Sequence, residues 1–199
     1  QEFSAAATLE RLVQVMAEQL ARALPQAQHG AMLIADAHGT LILQDHWPVG
    51  APVVDLLLAK RASDEEIREL LEQTRTIALV GASPRPERDS HEVMAYLQSR
   101  GYRVIPVNPA CAGQTILNER VRASLAEIDE PIDLVDVFRN SEAASAVIDE
   151  AIAVRAKAVW TQLGVVNEPA AERARSAGLA VVMDRCPKIE IPRLSIPPR

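Results

Sequence analysis

The hydrophobic positions change their period along the chain, and the change divides it. Leu9, Leu12, Val13, Met16, Leu20 and Leu24 recur three or four residues apart, which predicts an amphipathic helix ending before Pro25. Two short apolar runs, at 31–35 and 41–43, then flank the polar stretch Asp36-Ala-His-Gly-Thr40. Gly39 is available there for a positive φ, so the pattern predicts a β-hairpin. Residues 46–52 read as a loop and 53–61 as a short helix. From residue 62 onward the texture is different, because continuous apolar runs alternate with stretches of helical period. Strands are predicted at 76–80, 102–107, 132–138, 158–163 and 179–183. Helices are predicted at 64–75, 89–100, 120–127, 141–154 and 168–177. Ser63 and Glu66 form a capping-box pattern ahead of the first. Five apolar strands joined through helices predict an α/β fold, a Rossmann-like, doubly wound parallel sheet in three layers. It would occupy residues 62–194, behind an N-terminal extension over 1–61. The last dozen residues, with their prolines, read as an extended tail.

Composition narrows the partners. The 199 residues carry 21 Lys plus Arg against 27 Asp plus Glu, a net charge of −6, which disfavours broad surfaces for nucleic acid or anionic lipid. An anionic ligand must therefore be held locally. Two cysteines, Cys111 and Cys186, are too few for a disulfide framework, and no His, Cys or carboxylate set has metal-ligand spacing. Gln1-Glu2-Phe3-Ser4 shows no charged region leading into an apolar one, and no apolar run is long enough to span a bilayer. A cytoplasmic protein is the expectation. Cys111 lies in a loop and is expected to be the more exposed of the two thiols.

In an open parallel sheet, ligands bind beyond the carboxyl ends of the strands, near the point where strand order reverses. The loop after the first strand, Val80-Gly-Ala-Ser-Pro-Arg-Pro-Glu-Arg-Asp-Ser90, has one glycine where a dinucleotide fingerprint has three. Gly81 still permits a tight exit, Ser83 offers a hydroxyl, and Arg85 and Arg88 suit phosphate. Glu87 and Asp89 offset those arginines within the loop. The second strand ends Pro106-Val-Asn-Pro109, without the carboxylate that binds ribose hydroxyls in NAD sites. Asp136 interrupts a buried strand and needs a hydrogen-bond partner or a place at the crevice. Trp160 and Gln162 are expected on opposite sides of their strand. No nucleophile and base are paired in a catalytic arrangement.

Taken in order, Val80-Gly-Ala-Ser-Pro84, Gly101-Tyr-Arg-Val-Ile-Pro-Val-Asn-Pro109, Ser124-Leu-Ala-Glu-Ile128, Ile132-Asp-Leu-Val-Asp-Val-Phe-Arg139, Val159-Trp-Thr-Gln-Leu-Gly164 and Met183-Asp-Arg-Cys186 resemble the stand-alone CoA-binding proteins of bacteria and archaea. These in turn resemble the amino-terminal domain of the succinyl-CoA synthetase α subunit. The resemblance implies coenzyme A, or an acyl-CoA, as ligand and no catalysis by this domain alone. It implies Gly81, Ala82, Ser83 and Pro84 at the phosphates, with Arg85 and Arg88 near them. Val107, Asn108 and Pro109 would lie beside the adenine nucleotide, and Phe138, Arg139 and Asn140 would flank nucleotide or pantetheine. Alternatives are an NAD-binding redox or sensor protein, and an acyl-CoA ligase subunit that needs a partner. Residues 1–61 would serve a protein partner or self-association.

Overall fold

The computed structural model describes residues 62–199 in full, and the backbone of 29–35 and 41–48. The chain divides into two compact units, Gln1–Lys60 and Arg61–Arg199. In the first, β1 (His29–Ala35) pairs antiparallel with β2 (Leu41–Pro48), with a register shift between Ala31 and Met32. The hairpin is the one its two apolar runs predict, and β2 continues through residues expected in a loop. The helices expected over 9–24 and 53–61 lie outside the described residues.

The second unit opens with α1 (Asp64–Gln73). Ser63 caps it by accepting the Glu66 N–H while the Glu66 carboxylate accepts the Ser63 N–H at 2.8 Å. Five strands follow in one parallel sheet: β3 (Thr76–Val80), β4 (Arg103–Val107), β7 (Leu134–Val137), β8 (Ala158–Thr161) and β9 (Ala180–Val182). Their spatial order is β4-β3-β7-β8-β9. The chain runs from β3 to one side for β4 and then crosses back for β7, so the order reverses at β3. Helices α2 (Asp89–Ser99), α3 (Ser141–Ala153), α4 (Glu168–Ser176) and α5 (Pro187–Arg193) complete the layers.

Strand periodicity sends alternate residues to opposite faces, and each face builds its own core. Ile77, Leu79, Leu134 and Trp160 pack with Ile67 and Leu71 of α1, Met94 and Leu97 of α2, and Ile191 of α5. Ala78, Val80, Val135, Val137 and Val159 face Val147 and Ile148 of α3 and Ala170 and Ala174 of α4. Because every one of these strands is covered on both sides, a continuous apolar run is the pattern burial demands.

Three expectations need correction. The segment read as a helix over 120–127 is instead a small hairpin, β5 (Thr115–Ile116) with β6 (Glu119–Arg120), and a single 3-10 turn at Leu125–Glu127. Leu117 and Asn118, between its strands, both have positive φ, the requirement of a tight two-residue hairpin turn. Beyond it, Arg122 donates its N–H to Pro106 and its carbonyl accepts from Asn108, so this stretch lines the outer edge of β4. The C-terminal residues are not all extended. Pro187 begins α5, where its missing N–H costs nothing, and Ile191, Leu194 and Ile196 are buried in the first core cluster. Trp160 and Gln162 share a face, since residues two apart on a strand point the same way. Among the described residues no helix is long and apolar enough to cross a membrane.

Candidate functional site

Gly81 leaves β3 at φ +93°, donating its N–H to Val107 O at 2.9 Å. A Cβ built there would lie 2.3 Å from the carbonyl oxygen of Phe138. Glycine is thus what lets the ends of β3, β4 and β7 converge above the reversal point. Ser83 then makes a turn, its hydroxyl accepting the Arg85 N–H at 3.2 Å, while His91 Nδ1 lies 3.1 Å from Ser83 O. The chain enters α2 through Arg88, whose side chain provides no cap. Ser63, Asn140 and Asn167 cap α1, α3 and α4 with their own oxygens. His91 N–H bonds back to Arg88 O at 2.9 Å, and among the described residues the Asp89 and Ser90 amides of the first turn are left for another acceptor.

These loops enclose a cleft of about 370 Å³, lined by Gly81, Ala82, Ser83, Arg85, Arg88, Asn108, Phe138 and Arg139, together with Asp89 and Ser90. Eight of the twelve residues singled out in the sequence meet here. The other four, Pro84, Val107, Pro109 and Asn140, do not line it. Val107 is buried in the second core cluster, and Asn140 spends its side-chain oxygen on the Ala143 N–H at 2.8 Å. Asn108 lines the cleft but its amide is committed inside the protein. It donates to Ala82 O at 2.8 Å and accepts from Ala110 N at 3.0 Å, bracing the β4 loop against the β3 loop.

The charge balance differs from that of the loop alone. Glu87 is not in the lining and Arg139 arrives from β7, so three guanidinium groups face one carboxylate, Asp89. Among the described residues none of the three arginines is held in an ion pair. Ser90 escaped the sequence reading and Asp89 entered it only as a charge offsetting the loop arginines, although the predicted helix start at residue 89 marked both. Cys111, expected to be the more exposed of the two thiols, is buried, its Sγ 3.9 Å from Ala82 O, and burial pushes its thiol pKa up. Cys186 is buried too and shifted the same way for the same reason.

Asp136 lies wholly inside the sheet, opposite Leu79 on β3 and Trp160 on β8. Its Oδ1 accepts a hydrogen bond from Gln162 Nε2 at 2.6 Å, while its Oδ2 has no partner. Burial pushes its carboxyl pKa up to about 7, the hydrogen bonds from Gln162 and the Val137 N–H opposing the rise.

A parallel sheet of this order, with its cleft over the reversal point, defines a Rossmann-like domain. Residues 75–192 match the model of the family described as CoA binding domain, and the chain belongs to that family. It is 43% identical over 127 residues to the uncharacterized protein YneT of Bacillus subtilis, covering 64% of this chain and 93% of that protein. Among solved structures, a hypothetical protein from Pyrococcus horikoshii OT3 superposes with a TM-score of 0.65 at 40% identity, over 69% of this chain and 95% of its own. A Thermus thermophilus protein gives a TM-score of 0.64 at 41% identity, over 67% of this chain and 99% of its own.

Proposed function

We propose that this chain binds coenzyme A or an acyl-CoA, with the phosphorylated nucleotide end in the cleft of Gly81, Arg88 and Arg139. The reading gives the domain a binding role without chemistry of its own. The observation that carries it is the set of three unpaired guanidinium groups converging with the uncapped start of α2. Backbone amides at a helix start and planar guanidinium donors are the two groups that best match phosphate oxygens. Membership of the CoA-binding family supports the same ligand. NAD fits less well, because Asn108 stands where a ribose carboxylate belongs and its amide is already engaged.

Isothermal titration with CoA, acetyl-CoA, NAD and NADH tests the assignment. CoA or acetyl-CoA is expected to bind, and Arg139→Ala to weaken that binding by about tenfold, the loss of one charge-assisted contact of about 1.4 kcal/mol. A folded protein that binds no CoA species overturns the reading.

A further inference from the structure

The hairpin of β1 and β2 lies ahead of residues 75–192, the part of the chain shared with the family, and the CoA reading makes no use of it. It is a sheet of two strands, and among the described residues no other strand pairs with either outer edge. The other sheets leave no comparable edge among those residues. In the parallel sheet β4 is outermost on one side, where Arg122 donates to Pro106 O and accepts from Asn108 N, both at 2.9 Å. On the other side β9 is only three residues long. Covering an edge and keeping it short are two ways a sheet avoids unwanted pairing.

The two strands of the hairpin treat their edges differently. In β2 the register skips Asp45, a bulge that carries a charge, and Pro48 removes a donor at the end. All three features deter pairing. β1 has none of them, since Gly30-Ala-Met-Leu-Ile-Ala35 is free of charge, bulge and proline. Alternate positions of a strand fall on opposite faces, and both sets are apolar here, Ala31, Leu33 and Ala35 on one and Met32 and Ile34 on the other. The sequence predicts an amphipathic helix on each side of the hairpin. A helix can cover a sheet face, but its backbone groups are spent internally and cannot complete an edge. A further strand can.

The composition of β1 also selects that strand. Two copies of β1 meet without opposing charges, whereas two copies of β2 would bring two Asp45 charges into one sheet. Identical antiparallel strands are self-complementary about a two-fold axis, the commonest symmetry of oligomers. The poorer edge of β2 stops the sheet at two copies.

We propose that β1 pairs with β1 of a second copy of this chain, joining two hairpins into one four-stranded antiparallel sheet of order β2-β1-β1-β2. The first unit is then a dimerisation module. Sedimentation equilibrium of the 199-residue chain is expected to show a dimer, and a chain that stays monomeric throughout the micromolar range overturns the proposal.

Single cysteines introduced in turn at positions 31 to 35 map the pairing. The two-fold axis sets one residue of β1 directly opposite itself, with Cα atoms about 4.5 to 5.5 Å apart, within the span of a disulfide. Oxidation should give a cross-linked dimer that peaks at one position, while the wild-type chain, whose Cys111 and Cys186 are buried, gives none. Equal cross-linking at every position, or at none, overturns the proposal. Ile34→Lys adds a charge to β1 of both copies and is expected to weaken association about tenfold, while Gln44→Lys on β2 should change it less than about twofold. No loss in Ile34→Lys, or a loss as large in Gln44→Lys, overturns it as well. Should Ile34→Lys fail to fold, the cysteine scan decides alone.

Discussion

Replacing Asp136 by Asn tests how the buried carboxyl is charged. Its folded pKa is pushed up to about 7 from an ordinary value of 3.8, so the native state holds a proton that the unfolded chain has already released. The stability contributed by this group is complete below about pH 4 and is lost as the pH rises to about 7, an overall loss of about 4 kcal/mol. Between about pH 5 and about pH 8 the share lost is roughly 2 to 3 kcal/mol. Asn keeps the acceptor for Gln162 and has no such titration. Urea unfolding of both proteins at the two pH values isolates the effect, because every other titrating group is common to both and cancels. The gap between them should move by roughly 2 to 3 kcal/mol in favour of Asp136→Asn on going to the higher pH, equivalent to roughly 5 to 10 °C in Tm. A gap constant to within about 0.5 kcal/mol would refute the reasoning, since it would mean that the carboxyl titrates alike in folded and unfolded chains.

Three further substitutions follow from geometry. Gly81→Ala combines a left-handed backbone with a Cβ driven into the Phe138 carbonyl, and should cost more than about 2 kcal/mol and impair CoA binding. Gly113→Ala is its control in thermal melts, with a similar φ of +82° but nothing within 4 Å, so it should cost only about 1 kcal/mol, and equal costs would show that the close approach is unimportant. Glu190, buried between Arg185 and Arg193, the latter also bound to Asp64, should cost about 2 kcal/mol as Glu190→Gln by chemical denaturation, nearly independent of salt. A loss under about 0.5 kcal/mol would place the network among surface pairs of little consequence.

What the sequence reveals depends on how local the controlling interaction is. The five parallel strands were legible because burial on both faces writes each as a largely apolar run, as in Thr76–Val80, with Asp136 interrupting the run of β7. The hairpin of β5 and β6 was not, because two paired residues per strand leave no periodicity and its turn uses Leu117 and Asn118 without a glycine. Helix α5 was hidden by prolines, although Pro187 occupies the one helical position where proline is favoured. In the site, Gly81, Arg85 and Arg88 could be read from loop chemistry, and Arg139 from the family resemblance. The commitment of Asn108 to Ala82 and of Gln162 to Asp136 needed strand register, which no single segment contains.

The cleft and the core beneath it are completed at different moments of synthesis. A ribosome that has released residue 140 has already delivered every residue that lines the cleft. The core beneath it still waits on both faces for residues from the last quarter of the chain, Val159, Ala170, Ala174 and Val181 on one and Trp160, Val182, Ile191 and Ile196 on the other. A nascent domain therefore displays the loops of its cleft before it has the support that holds them in place, and the formed cleft belongs to the finished domain.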